Sequence, residues 1–285
     1  MKINNILIAS DFSKHADYSL SRAVTLAEQH TATLHFLHIL IQPRIGNFSQ
    51  FSIEELEQDY LAQKKKIEKK LLKCINKYSH NIETHVSVLA GRAADEIVRY
   101  AKENKCNMIV AGAHGEYYIN DYILGTTSSS IVSQSNVPIL LVKKEPSFAY
   151  NRIIIATDFS EVSKNTIEFT FNCFPDATFQ LLHIIDIHST RLLQGSEQDG
   201  TKDITHRLDV FLSQCNVDQS KFEKKFMGGY FADTIILQSE KWKADLISFG
   251  AQGNSKLHYL LMGSVSKRLL QLSITDMLIV PSKQK

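Results

Sequence analysis

Cysteine is scarce in this chain, and the four present, Cys74, Cys106, Cys173 and Cys215, include no CxxC pair. That excludes a disulfide-built scaffold and a cysteine zinc site, and leaves free thiols suited to a reducing compartment. The 11 histidines are scattered, without the paired spacing of a zinc ligand set. An excess of one charge is missing too. With 32 Lys and Arg against 30 Asp and Glu, a formal charge of +2 and a pI near 8.2, there is no electrostatic footprint for nucleic acid or an anionic membrane. The apolar stretch at residues 6–9 is too brief for a signal sequence or a membrane span. The expectation is a cytosolic protein with neither nucleic acid nor membrane among its partners. GxxxxGK[ST] is also absent, which excludes a Walker-type motor.

What the chain has instead is one pattern written twice. Gly112 and Gly115, nine residues, then Gly125 and Thr126 return as Gly250 and Gly253, nine residues, then Gly263 and Ser264. Asp11-Phe12-Ser13 returns as Asp158-Phe159-Ser160, Leu37-His38-Ile39 as Leu182-His183-Ile184, and Gly91 with Ile97 as Gly229 with Ile235. The separation is 147 residues at Asp11, 145 at His38 and 138 from Gly91 onward, so the second copy is shorter, mostly between His183 and Gly229. A chain of 285 residues gives each copy enough length for its own core. A charged and then proline-broken junction at 143–147 marks the seam. We place the domains at 1–145 and 151–285, with a linker at 146–150.

Each copy alternates short apolar runs with helical patterns, which indicates a parallel sheet covered by helices on both faces. Strands are expected at 6–9, 34–40, 85–89, 108–111 and 139–142, and again at 153–156, 179–185, 222–226, 246–249 and 277–280. Most are near-continuously apolar, as strands buried on both sides are. Ala16, Leu20, Ala23, Val24 and Ala27 recur at helical spacing, with Ser13 placed as the cap. Ser52-Ile53-Glu54-Glu55 has the capping-box pattern, opening a longer helix to about Tyr78 whose Lys64-to-Lys73 stretch reads as a solvated face. Further helices begin at Ala93 and Thr126.

The glycine loop follows the fourth strand and ends where the fourth helix begins. Gly112 and Gly115 permit a backbone approach that a Cβ would block. Thr126 and Thr127, or Ser264 in the second copy, set hydroxyls beside the N–H groups of a helix start. Such an end attracts anions through its unpaired donors and its dipole. The bland alternative is a tight turn with a helix cap. In an open sheet of order 3-2-1-4-5, strands 1 and 4 flank the switch point, so Asp11 and Asp158 would face the same crevice as the loop. Either carboxylate can accept from a ribose hydroxyl or an adenine amine. The other reading is a cap for the first helix, which Ser13 and Ser160 could supply equally well. His38 and His183 read as near-core residues bonded to backbone, and Ile39 and Ile184 as an apolar wall.

The spaced motif G-x2-G-x9-G-[ST], with an aspartate after strand one and a His-aliphatic pair on strand two, resembles the universal stress protein family, in the tandem form of its ATP-binding branch. The likeness covers residues 2–144 and 151–281. It implies an α/β fold of two tandem Rossmann-like (adenine nucleotide alpha hydrolase-like) domains, each a five-stranded parallel sheet of order 3-2-1-4-5. It also implies bound ATP, with triphosphate on the glycine loop and adenine near the aspartate. The two domains would pair through their fifth strands, and two chains could associate further as a homodimer. Asp11, Ile39, Gly112, Gly115, Gly125 and Thr126 match the family's nucleotide-contacting positions in copy one. Asp158, Ile184, Gly250, Gly253, Gly263 and Ser264 match them in copy two.

The chain departs from the family where a basic residue often follows the second glycine: here stand Glu116 and Asn254. Copy one also carries Asp121 and no Lys or Arg in its nine-residue stretch, whereas copy two has Lys256 and His258. Carboxylates beside phosphate are unfavourable unless a divalent ion intervenes. The second site is therefore expected to bind ATP more tightly, and the first to be weaker or lean on Mg2+. The function expected is stress-response regulation through nucleotide-dependent shape or partner binding, without multiple turnover. The rivals are a slow ATPase and a binding module for another small ligand or protein with a vestigial nucleotide site. A receiver-like phosphorylation switch ranks low, because neither Leu89-Ala90-Gly91 nor Phe226-Met227-Gly228 offers an acceptor aspartate.

Overall fold

Ile6, Leu7 and Ile8 are all fully buried, yet Ile6 and Ile8 enter one apolar cluster and Leu7 another. A strand whose alternate side chains feed two separate cores must be covered on both faces. In the computed structural model, which describes residues 2–40, 53–78, 81–113, 125–146, 149–186, 197–252 and 263–282, this strand is β1 (Asn5–Ala9). The first unit continues with α1 (Lys14–His30), β2 (Thr33–Leu40), α2 (Ile53–Ile75), β3 (Thr84–Ala90), α3 (Ala93–Glu103), β4 (Met108–Gly112), α4 (Thr126–Gln134) and β5 (Ile139–Val142). The second repeats the plan: β6 (Arg152–Thr157), α5 (Glu161–Cys173), β7 (Thr178–Asp186), α6 (Glu197–Ser213), β8 (Phe222–Gly229), α7 (Phe231–Lys241), β9 (Leu246–Gly250), α8 (Ser264–Leu272) and β10 (Asp276–Val280).

All ten strands form one sheet, ordered β3-β2-β1-β4-β5-β10-β9-β6-β7-β8. Every pairing is parallel except the central one, where β5 and β10 run antiparallel with Leu141 opposite Met277 and Ile139 opposite Ile279. One core holds Leu20 and Val24 of α1, Leu71 and Ile75 of α2, Ile167 of α5 and Leu208 of α6. The other holds Ile97 of α3, Ile131 of α4, Ile235 of α7 and Leu269 of α8. The helices of each half thus cover the sheet in pairs, α1 and α2 on one face and α3 and α4 on the other, with α5 and α6 and then α7 and α8 repeating the division.

The length difference between the copies falls largely in one element, since α2 has 23 residues and α6 has 17. α2 stops at Ile75, short of Tyr78, and its expected cap Ser52 lies outside the described residues. β8 runs on to Gly229, three residues past the expected end, because it pairs with β7 as far as Asp186. Among the described residues no helix is long and apolar enough to cross a membrane.

The seam between the halves carries a buried polar cluster. Asp276 Oδ1 accepts from the Lys143 and Lys144 main-chain N–H groups (2.7 and 3.2 Å), and Oδ2 accepts from the Tyr150 hydroxyl (2.5 Å). The Lys143 ammonium reaches across to the C-terminal end of α8, donating to the Leu270 and Ser273 carbonyls (2.8 and 2.5 Å). The Arg22 guanidinium lies 3.8 Å over the Tyr150 ring. Burial pushes the Asp276 carboxyl up, against the bonds it accepts.

Candidate functional site

Each half-sheet places an aspartate turn and a glycine loop on neighbouring strands. β1 pairs with β4 so that Ile8 faces Val110, which brings Asp11 and Gly112 to adjacent carboxyl ends. The turn after β1 holds Phe12 in the left-handed region, φ 64°, and its counterpart after β6 holds Phe159 at φ 63°. A phenylalanine tolerates this only where its surroundings hold it. Here the Phe12 N–H donates to Ser10 Oγ (3.1 Å) and the Ser13 N–H to Asp11 Oδ1 (3.0 Å). In the second unit Phe159 donates to Thr157 Oγ1 (3.1 Å) and Ser160 to Asp158 Oδ1 (3.1 Å). The helix caps fall to the serines: Ser13 Oγ accepts from Ala16 N, and Ser160 Oγ from Ser163 N, each at 3.2 Å. Capping therefore does not require either carboxylate.

Both phenylalanines are packed by the same two kinds of neighbour, a histidine and a cation. The His38 and His183 rings lie 4.8 and 4.4 Å from the Phe12 and Phe159 centroids. On the rings also sit cations, Lys70 Nζ of α2 at 3.6 Å and the Arg207 guanidinium of α6 at 4.7 Å. Sequence reasoning missed both cations and took Lys70 for part of a solvated face. They are 137 residues apart, inside the segment where the copies change length, so no common offset announces the match. The histidines are bonded to backbone as expected, His38 Nδ1 to Ser10 O (2.7 Å) and His183 Nδ1 to Thr157 O (2.9 Å). A carbonyl can only accept, so Nδ1 carries the proton and Nε2 is left as an acceptor on the neutral ring. Burial pulls both imidazoles below their ordinary value, with the Ser10 and Thr157 bonds and the nearby aspartates pulling the other way.

The glycine ending β4 is pressed against the first turn of α1. A Cβ at Gly112 would lie 3.1 Å from the His15 carbonyl carbon, and one at Gly250 would lie 2.7 Å from Val162 Cγ1 of α5. Side chains at these positions would push the helix that follows the aspartate turn away from the loop. The base of each loop is closed by backbone. Gly125 N donates to Ala113 O (2.9 Å) and Ala113 N to Val142 O (3.0 Å), and Gly263 N meets Ala251 O at 3.5 Å. Ser128 Oγ then ties α4 back to Gly112 O (2.7 Å), and Ser266 Oγ contacts Gly250 O and Ala251 O (3.5 and 3.4 Å). The shared serine three residues after the last motif glycine was a legible signal that the sequence reading passed over.

The starts of α4 and α8 are electrostatically unlike the others. Neither Gly125 nor Gly263 can cap, and neither helix has an acidic residue in its first turn. By contrast α1 and α5 have serine caps with Asp17 and Glu161 behind them, and α2, α3 and α7 carry Glu54, Asp95 and Asp233 in their first turns. A helix start left without anionic or side-chain partners keeps its orphan donors for an outside acceptor. Thr126, Thr127 and Ser264 stand exposed on the first turns of α4 and α8.

The fold thus brings Asp11, Gly112, Gly125, Thr126 and Thr127 to one edge, and Asp158, Gly250, Gly263 and Ser264 to the equivalent edge. Ile39 and Ile184 end up 9% and 4% exposed, so each offers only an edge of an apolar wall. Gly115, Glu116, Asp121, Gly253, Asn254, Lys256 and His258 lie outside the described residues. Among the described residues there is no cluster of three His, Cys, Asp or Glu side chains that could hold a metal. The four cysteines form no disulfide, and burial pushes the Cys106 thiol up to about 12 and Cys215 up to about 11.

Against known proteins, a model of the universal stress protein family matches twice, over residues 2–143 and 149–281. A universal stress protein of Mycolicibacterium smegmatis is 20% identical over 293 residues, spanning 96% of both chains. The universal stress protein YxiE of Bacillus subtilis is 25% identical over 146 residues, 49% of this chain and 99% of its own. Among solved structures, a universal stress protein from Archaeoglobus fulgidus superposes with a TM-score of 0.73, covering 98% of each chain at 16% identity. At that identity the superposition speaks for the fold.

Proposed function

Since the chain belongs to the universal stress protein family, we propose that it binds an adenine nucleotide, ATP with Mg2+, in each of two domains, 1–145 and 151–285, joined by a linker at 146–150. One observation carries the reading. In both units the helix that begins at the glycine loop has neither a capping side chain nor a first-turn acid, beside a carboxylate in the turn after the neighbouring strand. The main-chain N–H groups of α4 and α8, with Thr126, Thr127 and Ser264, would receive the phosphates. Hydrogen bonds to a charged group contribute about 1.5–3 kcal/mol each, so a few such donors suffice without a lysine. Asp11 and Asp158 would accept from the nucleoside, with the edges of Ile39 and Ile184 against the base. The donors named fit the ligand's charge, and Mg2+ would offset phosphate charge in a first unit whose motif carries Glu116 and Asp121 in its sequence and no Lys or Arg between Gly115 and Gly125.

The activity we infer is regulation by nucleotide-dependent shape or partner binding in a stress response, not multiple turnover. His38 and His183 each donate Nδ1–H to a main-chain carbonyl and pack on Phe12 and Phe159, which supports a structural reading of both rings. The antiparallel β5–β10 ladder would make the two sites one working pair within a chain, and a homodimer of such chains adds to it. The test is extraction of ligand from purified protein and titration with Mg-ATP. Up to two adenine nucleotides per chain are expected, falling by one in Gly125→Val and by one in Gly263→Val. Purified protein that holds none, and shows no thermal shift with Mg-ATP, would refute the reading and favour a vestigial site.

A further inference from the structure

The two aspartate turns are alike in backbone, and among the side chains that differ around them one bonds the aspartate of the second unit directly. Phe12 and Phe159 share their φ to within a degree, and each aspartate Oδ1 accepts from the serine N–H two residues on. Three residues beyond those serines, the first unit has Ala16 and the second has Ser163. Ser163 is 4% exposed, and its hydroxyl donates to Asp158 Oδ1 at 2.6 Å. The same hydroxyl accepts from the Asp158 main-chain N–H at 3.2 Å. Asp158 is therefore held at both ends by one buried group, and it is half-buried where Asp11 is exposed.

We propose that Ser163 is a positioning residue for the second unit's nucleoside-binding carboxylate, and that its replacement by Ala16 in the first unit makes the two sites unequal. This rests on the nucleotide reading above and adds what distinguishes the copies. Both bonds fall on Oδ1, the Ser160 N–H at 3.1 Å and the Ser163 hydroxyl at 2.6 Å, so neither uses Oδ2. With Oδ1 anchored twice, the plane of the carboxylate is set before a ligand arrives. A charge-assisted bond to a buried hydroxyl is strong and is not contested by solvent. The ligand then does not have to immobilise that side chain, which is worth about three- to tenfold in affinity. In the first unit, Ala16 has no hydroxyl to offer.

The experiment uses the full chain and isothermal titration with Mg-ATP, one site at a time. In a Gly125→Val background, where the second site is read, Ser163→Ala should weaken binding about three- to tenfold. In a Gly263→Val background, where the first site is read, Ala16→Ser should tighten it by a similar factor. Competition by inorganic triphosphate against a fluorescent ATP analogue separates positioning from general damage. Triphosphate engages only the helix-start donors, so its affinity should be unchanged by Ser163→Ala. Mg-ATP binding that ignores both substitutions overturns the proposal and leaves the nucleotide reading standing. So does a Ser163→Ala protein that loses triphosphate affinity as much as ATP affinity. No binding of Mg-ATP to the unsubstituted chain would instead remove the nucleotide reading and this proposal together.

Discussion

Replacing Asp276 by alanine should be among the most damaging single changes available in this chain. The carboxylate is 3% exposed and accepts from the Lys143 and Lys144 N–H groups and the Tyr150 hydroxyl. Alanine leaves those donors without their acceptor, and the two most buried belong to Lys143 (9% exposed) and Tyr150 (6%). A buried donor left unsatisfied costs about 1–3 kcal/mol. Removing one member of a buried charged cluster costs about 3–5 kcal/mol in total, because the opposite charge stays behind. Here the stranded cations are Arg22, over the Tyr150 ring, and Lys143, in the end of α8. We therefore expect Asp276→Ala to lose about 4 kcal/mol. Asp276→Asn keeps the shape and one carbonyl acceptor, and should lose about half of that. Urea unfolding followed by Trp242, the single tryptophan, reads the second unit directly. A folded Asp276→Ala protein within 1 kcal/mol of the parent would refute the reasoning, since solvent would then be satisfying donors described as buried.

Further outcomes can be checked on the same unfolding assay. Gly229 has φ 155°, and a Cβ there would meet Thr234 Oγ1 at 2.2 Å, while one at Gly228 would meet nothing within 4 Å. Gly229→Ala should thus cost about 1–3 kcal/mol and Gly228→Ala less than about 0.5. Burial draws the Lys143 ammonium from its ordinary 10.5 down to about 8, with Asp276 pulling the other way. As pH falls from 10.5 the unfolded chain takes up this proton first. The contribution is therefore complete above 10.5 and is lost on descending to about 8, a slope that Lys143→Met should flatten. His183 is also depressed, chiefly by burial, so its share of stability is present above 6.5 and declines as pH falls through its folded value. Acid titration of His183→Gln should show a shallower decline than the parent.

How much of this was legible depended on whether a residue's partner lies at a fixed sequence distance. The strands and the duplication were readable because buried parallel strands announce themselves as apolar runs, and Gly112 and Gly250 recur where α1 and α5 crowd the loop. The Asp11 turn was readable from its three-residue motif, and its split of duties with Ser13 is local chemistry. Lys70 and Arg207 were not readable, because they reach Phe12 and Phe159 from helices of different length. The Asp276 cluster escaped for another reason. Its members come together only through the register of β5 on β10, which no periodicity encodes.

A seam built from two identical subunits must present every contact in duplicate, related by its axis. Here the residues at the positions matching Lys143 and Asp276 in the other half are Pro281 and Pro138, neither of which can ionise. The lysine's grip on α8 therefore has no mirror image. Covalent fusion has released the join from having to read the same from both sides, so one half can be altered without its twin following.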